Sequence, residues 1–452
     1  MTPLLAGTEA ALLAQVAAAQ ASGRLPSVAA GVVRGGELVW SLGRGRTVLP
    51  GSTGDDPRPD ADTQYKIGSV TKTLTATLVM LARERGELGL DDPVARFCPD
   101  GPFGTTPLHR LLSHGSGISA EPTGEWWERS TGGDLAALTA AHAGAEPVLE
   151  PGSRLHYSNL GYGVLGAVVE AVTGLTWWDA VQQQLLAPLG MGRTSYQGVA
   201  PYAGGYAVDA LTGEVVAEPL PDTGAMAPAG QLWSTVADLG TWVTHLVDPE
   251  RSLLRAETLV DMRTMRTADP DDRSGSGFGL GLSLGRSRGR LMVGHGGSMP
   301  GFSCGVLADV DRRVGAVVLT NGAYGLGGLT QQVLETVLDR EPHVAPEWVP
   351  GTLPVPGVVR EVVGTWHWGH APAVLRWDRG LLRLAPPSGP GRVMAFAPTD
   401  DPDAFVGTAG YLTGETLRVV RRADDAVSHL ECATFVYTRT PYDPQAPIPG
   451  GV

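Results

Sequence analysis

The chain has 452 residues, 42% hydrophobic and 18% charged, with 62 glycines and 35 prolines; this excludes a fibre and fits a loop-rich globular protein longer than the usual domain of about 100–200 residues. A formal net charge of −13 excludes a chain built to grip a nucleic-acid backbone, which requires a basic face. No run reaches the ~18 apolar residues of a membrane span, no charged-then-apolar leader opens the chain, and Cys98, Cys304 and Cys432 are widely spaced, so a soluble, cytoplasmic protein without membrane or nucleic-acid partners is expected.

Residues 9–22, rich in Ala and Leu, predict a helix ended by Gly23. Ser27–Val33 and Glu37–Leu42 read as strands joined through Gly35-Gly36, a pair suited to the positive φ angles of a tight hairpin. The Gly-, Asp- and Pro-dense segment 50–63 reads as a loop leading into Lys66-Ile67-Gly68-Ser69-Val70-Thr71-Lys72. From Ser69 on, Val70, Leu74, Leu78, Leu81 and Ala82 recur at helical spacing as far as Gly86. A stripe this wide predicts a central, buried helix with Ser69 and Lys72 on one face.

That spacing can make a nucleophile. A serine hydroxyl attacks only if a base takes its proton, and lysine is a base only where burial or neighbouring cations disfavour its charged form. At a helix N-terminus, Ser69 also offers its backbone N–H to a developing oxyanion.

Leu111–Gly117 reads as a helix end entering a glycine-rich turn whose backbone His114 would hydrogen-bond, and Trp126 and Trp127 read as core or lid packing. Pro151–Asn159 leads into a helix whose Gly163, Gly166 and Ala167 permit close packing, with Tyr157 just ahead and Asn159 placed as its N-cap. The irregular stretch 192–230, with Tyr202, Tyr206, Asp222 and Pro228, reads as a lid or pocket wall. Ser234 or Thr235 would cap a helix around Asp238–Leu246. Gly275–Leu284 alternates glycine with apolar residues but misses the G-x-G-x-x-G spacing of a nucleotide loop. Strands around Arg290–Val293, Phe302–Leu307 and Val314–Thr320 follow, and Leu329–Leu338 marks a closing helix.

These elements predict an α+β fold, an α/β/α sandwich over residues 1–340. Its antiparallel sheet is flanked by the terminal helices and carries a mainly helical insertion at about 70–246. Five prolines mark a stiff linker at 341–357. In 358–452, β-patterned runs near Val362–Trp368, Ala373–Trp377, Leu381–Leu384, Val393–Phe396, Thr416–Arg421 and Thr434–Tyr437 predict a small β-barrel or sandwich. His367 and His370 lack a third metal ligand.

Ser69-Val70-Thr71-Lys72, Tyr157-Ser158-Asn159 and His295-Gly296-Gly297, in this order and context, resemble the serine β-lactamase and penicillin-recognising hydrolase superfamily, especially its class C-like branch. That branch includes D-aminopeptidases, D-Ala-D-Ala carboxypeptidases and lactamase-like esterases. The resemblance covers about residues 8–340, extends to Leu111-Leu112-Ser113-His114 and to Pro228-Ala229-Gly230, and the tail resembles the lipocalin-like β-domain of some relatives.

The resemblance implies Ser69 as acylated nucleophile, Lys72 as the group that removes its proton, and Tyr157 as a general acid/base made effective by cations that lower its pKa. It implies that Asn159 donates to the substrate acyl side chain and to Lys72, that the N–H groups of Ser69 and Ser298 form the oxyanion hole, and that no metal or organic cofactor takes part. Where most lactamases have Lys-Thr-Gly, this chain has His295-Gly296-Gly297, as aminopeptidase and esterase relatives do. Histidine is mostly neutral near pH 7 and Gly296 lacks a hydroxyl, so the grip on a substrate carboxylate weakens. The expected function is a serine hydrolase of small esters or of amide and peptide bonds, such as D-amino-acid amides. The alternatives are a β-lactamase or D-Ala-D-Ala carboxypeptidase and, from another class, a non-catalytic binding protein.

Overall fold

The computed structural model describes residues 3–48, 58–323, 326–343, 355–378, 380–389 and 391–442. The chain divides into two compact units, Met1–His343 and Val344–Val452. Residues 344–354 of the expected linker, and 50–57 of the expected early loop, lie outside the described residues.

In the first unit, eight strands form an antiparallel sheet. Their order is Glu37–Gly45, Ser27–Arg34, Val314–Thr320, Phe302–Asp309, Arg290–Met299, Ser283–Ser287, Gly277–Phe278 and Thr267–Ala268. The central strands are apolar on both faces because helices cover both. Val28, Ala30, Val32, Val314, Ala316 and Val318 pack with Leu12 and Val16 of helix Ala6–Ser22 and with Val333 and Val337 of helix Leu329–Arg340. Their neighbours Ala29, Val317 and Leu319 face the other way, into a larger core with Leu74, Trp242 and Val243. The period of two thus splits one apolar run between two cores and makes the α/β/α sandwich.

The sequence pattern missed three strands here. Thr267–Ala268 and Gly277–Phe278 are two residues long, and Ser283–Ser287 is mixed in character, so none shows a period-two apolar run. The strand expected at Arg290–Val293 continues to Met299, because Phe302–Asp309 pairs with it across Gly294, Gly296 and Gly297. The stretch 192–230 is also less irregular than expected, since Tyr206–Val208 pairs with Val215–Ala217.

The insertion centres on helix Thr71–Glu84, which follows a 3₁₀ turn at Gly68–Val70. Every residue from Thr71 to Met80 is buried, more than a one-sided stripe requires. Its threonines are satisfied locally and by neighbours: Thr77 Oγ1 donates to Thr73 O at 2.8 Å, Thr75 Oγ1 to Pro228 O at 2.9 Å, and Thr73 Oγ1 accepts from Trp242 Nε1 at 2.7 Å. Helix Asn159–Thr173 packs alongside, with Gly166 pressed against Pro228.

The second unit is an eight-stranded antiparallel sheet in sequential order from Gly364–Trp368 to Phe435–Tyr437. Reciprocal backbone bonds between His367 and Thr438, 2.7 and 2.9 Å, bring its ends together into a nearly closed barrel. Its core contains Trp366, Leu382, Phe396, Phe405, Leu417 and Leu430. Two strands were missed, Ala404–Ala409 and Val427–Cys432, whose glycine and polar residues dilute the pattern. Val362, expected to begin a strand, ends a short helix, Gly357–Val362, and its carbonyl accepts from Trp366 Nε1 at 2.6 Å.

Candidate active site

The chain enters the site through a two-residue strand pair, Tyr65–Lys66 with Trp233–Ser234, and an Ile67 N–H bond to Leu232 O at 2.8 Å. Gly68 then adopts φ +52°, and a Cβ there would stand 2.6 Å from the Ser298 nitrogen. A Cβ on Gly297 would stand 2.0 Å from Ile67 O and 3.2 Å from the Ser69 nitrogen. Only glycine at both positions lets the Ser69 turn press against the strand that carries His295. This close approach puts the backbone nitrogens of Ser69 and Ser298 in adjoining segments.

Lys72 is fully buried, while Ser69 is partly open. Lys72 Nζ lies 2.9 Å from Ser69 Oγ, 2.6 Å from Asn159 Oδ1 and 2.7 Å from Ala229 O. Burial lowers its pKa to about 7; Glu121 and then Glu128 oppose that shift. The neighbours are therefore carboxylates, not the cations considered from the sequence, and burial alone makes the amine available. As an ammonium, Lys72 donates to all three oxygens. As a neutral amine it has two N–H groups and one lone pair, and only the Ser69 hydroxyl can reverse its bond, because two of the partners are carbonyl oxygens. The lone pair is thereby directed to Ser69.

Asn159 does not cap its helix. Ser158 does, accepting from Gly161 N at 2.9 Å, which leaves the Asn159 side chain free. Its Oδ1 accepts from Lys72, and its Nδ2 donates to Glu121 Oε1 at 2.7 Å. Glu121 Oε2 in turn accepts from Trp127 Nε1 at 2.8 Å. Trp127 is accordingly a buried packing residue, whereas Trp126 is 59% exposed and donates to Glu128.

Tyr157 stacks on His114 with ring centroids 4.0 Å apart, and Lys72 Nζ lies 5.1 Å from the Tyr157 ring. The expectation of a phenol made acidic by cations is overturned. Burial, with a smaller contribution from the Glu121 charge, pushes the phenol above its ordinary value, and the nearby Ser69 hydroxyl offsets only part of this. Among the described residues, no atom reaches full hydrogen-bond geometry with Tyr157 Oη. Tyr157 is therefore a protonated phenol at neutral pH.

His295 lies opposite Val306 in the sheet, and its Nδ1–H donates to Gly296 O at 2.5 Å. Burial, followed by the Lys72 charge, lowers its pKa to about 4 despite that bond, so the ring is neutral at pH 7. His114 follows its expected structural part: it is buried at φ +56°, its Nδ1 accepts from Ser158 N at 3.1 Å, and its carbonyl accepts from His156 N at 2.9 Å. Phe278, within the set-aside segment Gly275–Leu284, packs edge-on to His114, Tyr157 and His295.

The structure thus gathers Ser69, Lys72, Tyr157, Asn159 and the His295–Ser298 strand in one place. Sequence reasoning missed Glu121 and Phe278. Neither belongs to a local motif, and only tertiary contact reveals them. Among the described residues, no group of three or more His, Cys, Asp or Glu side chains is arranged to hold a metal.

A sheet with a helical insertion, and a serine beside a buried lysine where the two meet, define a serine hydrolase. The particular family follows from comparison with known proteins: the Beta-lactamase model matches residues 12–334, and the chain belongs to that family. Residues 355–439 match a domain of unknown function, DUF7586. Protein flp of Staphylococcus aureus is 26% identical over 312 residues, 66% of this chain and 60% of that protein, so the chain spans about 60% of the length of this curated relative. The crystal structure of SurE is similar over 96% of this chain and 99% of its own, at 28% identity and TM-score 0.61, and a structure of SurE with D-Leu matches at 27% and 0.60. A D-stereospecific amidohydrolase from Streptomyces sp. is similar over 72% of this chain and 97% of its own, at 26% identity and TM-score 0.60. Among the described residues, no single helix is long and apolar enough to cross a membrane.

Proposed function

We propose that this serine hydrolase works through an acyl-enzyme on Ser69 and cleaves small esters or amide and peptide bonds, D-amino-acid amides and short peptides among them. The observation that carries this reading is the buried Lys72 Nζ, 2.9 Å from Ser69 Oγ, whose other two partners are carbonyl oxygens that can only accept; burial, by lowering its pKa to about 7, would then steer its lone pair to Ser69.

In the forward step, Ser69 Oγ attacks the substrate carbonyl carbon as its proton passes to Lys72. The oxyanion rests against the N–H groups of Ser69 and Ser298. The tetrahedral adduct then expels the amine or alkoxide, which takes a proton relayed from Lys72 through the Tyr157 phenol, leaving acyl-Ser69. Water, giving its proton back through the same groups, releases the acid. Asn159 holds Lys72 in register throughout. The similarity to SurE with D-Leu and to a D-stereospecific amidohydrolase supports the D-configured substrate class. A β-lactamase or D-Ala-D-Ala carboxypeptidase fits less well, because a neutral His295 beside Gly296 offers no cation to a substrate carboxylate.

The test is intact mass after incubation with a fluorophosphonate, on wild type and Ser69→Ala. One adduct on the wild type and none on the variant is expected. No adduct on either protein overturns the reading in favour of a non-catalytic binding protein.

A further inference from the structure

We propose that His114 is the positioning residue of the Tyr157 phenol: it holds the chain on both sides of Tyr157 and covers its ring, and so aims the hydroxyl at the leaving group. The proposal rests on the hydrolase reading above and adds a residue that acts on the expulsion of the leaving group only through Tyr157.

Three contacts from this one residue converge on Tyr157. The His114 carbonyl accepts from His156 N at 2.9 Å, its Nδ1 accepts from Ser158 N at 3.1 Å, and its ring stacks on the Tyr157 ring with centroids 4.0 Å apart and planes 25° from parallel. Residue 157 is thereby bracketed along the backbone and covered at the side chain. The rest of the same turn carries the chain onward: Ser158 Oγ donates to Ser119 O and Asn159 N to Ala120 O, each at 2.7 Å. Phe278 and His295 border the Tyr157 ring from further off, at 5.7 and 6.0 Å between centroids. Among the described residues, no full hydrogen bond fixes the hydroxyl from its own end. Its aim is therefore set through the ring and the backbone, where His114 acts.

The backbone of His114 points the same way. It takes φ +56°, a left-handed conformation that residues with a Cβ adopt rarely and that glycine or asparagine adopts more readily. Strain of this kind persists where the surroundings over-determine it. With that backbone, the carbonyl and the ring nitrogen of one residue both reach the stretch 156–158. The ring is also committed to one form. Because Nδ1 accepts from a backbone N–H, the neutral imidazole carries its proton on Nε2, and a protonated ring would lose the bond to Ser158. Burial, followed by the charges of Lys72, His295 and His156, holds its pKa well below the ordinary histidine value. Phe278, edge-on at 4.8 Å, and Tyr162, at 5.2 Å, close on the imidazole and fix its plane.

The experiment compares the acetate esters of 4-nitrophenol and of phenol. Nitrophenolate leaves readily as the anion, whereas phenolate, the stronger base, gains more from a delivered proton. The ratio of the two kcat/KM values is read, because a general loss of activity cancels from it. In His114→Ala that ratio, nitrophenyl over phenyl, should rise at least about tenfold above wild type, within the range by which misplacing a catalytic group slows its step. It should rise less in His114→Asn, whose amide oxygen can accept from Ser158 N and whose backbone tolerates the left-handed conformation, so the test stands if the alanine variant does not fold. On a Tyr157→Phe background neither substitution should move the ratio further, since the hydroxyl they position is gone. A ratio unchanged in a folded variant, or a change of the same size with and without the Tyr157 hydroxyl, overturns the positioning role while leaving Ser69 reactivity intact. Fluorophosphonate labelling without cleavage of either ester also overturns this proposal alone, because the relay it serves would then be idle. Wild type that neither cleaves these esters nor takes the fluorophosphonate overturns the hydrolase reading and this proposal with it.

Discussion

The cores of the two units hold their fully buried polar side chains differently. In the C-terminal barrel the core around Trp366, Phe396 and Phe405 is apolar, and the fully buried His429 bonds Glu431 and Ser428 at 2.8 and 3.1 Å, so both ring nitrogens are satisfied. In the N-terminal unit, Lys72, His114 and His295 are buried beside the half-buried Tyr157, and the Tyr157 oxygen and one nitrogen of each histidine have no hydrogen-bond partner among the described residues. Burying polar groups without full compensation costs stability. The first arrangement stabilises a barrel, and the second holds groups in altered protonation states. The contrast teaches where chemistry resides: burial shifts a pKa usefully only where charge partners do not cancel the shift.

This comparison can be broken at its polar end first. Lys72→Ala should lower turnover by at least about two orders of magnitude, within the range of general base contributions, while far-UV circular dichroism keeps the wild-type fold. A near-normal rate would remove Lys72 from its proposed role. Tyr157→Phe removes the only atom able to relay a proton from that ring and should also cost about two orders of magnitude in kcat; an unchanged kcat would show that the phenol only packs.

The apolar end should respond in stability rather than in chemistry. Phe405 is 1% exposed in the barrel core, so Phe405→Ala should cost about 3–5 kcal/mol in the unfolding of that unit by denaturant, with Ser69 labelling kept. Loss of labelling at equal stability would contradict the separation of roles. Deleting residues 345–452 should have the smallest effect on the nucleophile: labelling persists and the range of accepted substrates changes. A folded truncation that no longer labels would mean the tail completes the site.

Much of this polar end was legible in the sequence because it is local. Ser69 in the 3₁₀ turn and Lys72 in the first turn of the helix that follows lie three apart, and Tyr157 and Asn159 flank the cap of another helix, so sequence spacing nearly builds the constellation. The His295 motif was legible at a strand-like position late in the sheet, but the strand's reach from Arg290 to Met299 was not, since its glycines carry no β signal and the pairing partner decides its length. The sign of the Tyr157 shift was not legible, because it depends on rings from three distant segments closing over the phenol. Glu121 was invisible for the same reason: its bond to Asn159 spans 38 residues of sequence. In the barrel, strands with a clean period of two were found, and those diluted by glycine or polar residues were not.

The central claim is that burial makes Lys72 a base near neutral pH, and the pH dependence of Ser69 acylation tests it most directly. With its pKa lowered to about 7, Lys72 is an ammonium below that value and a base above it, so the fluorophosphonate labelling rate should rise with pH through a midpoint near 7. In Lys72→Met that rise should vanish. A wild-type rate that is flat between pH 5.5 and 8.5, or a rise that survives in Lys72→Met, would contradict the account.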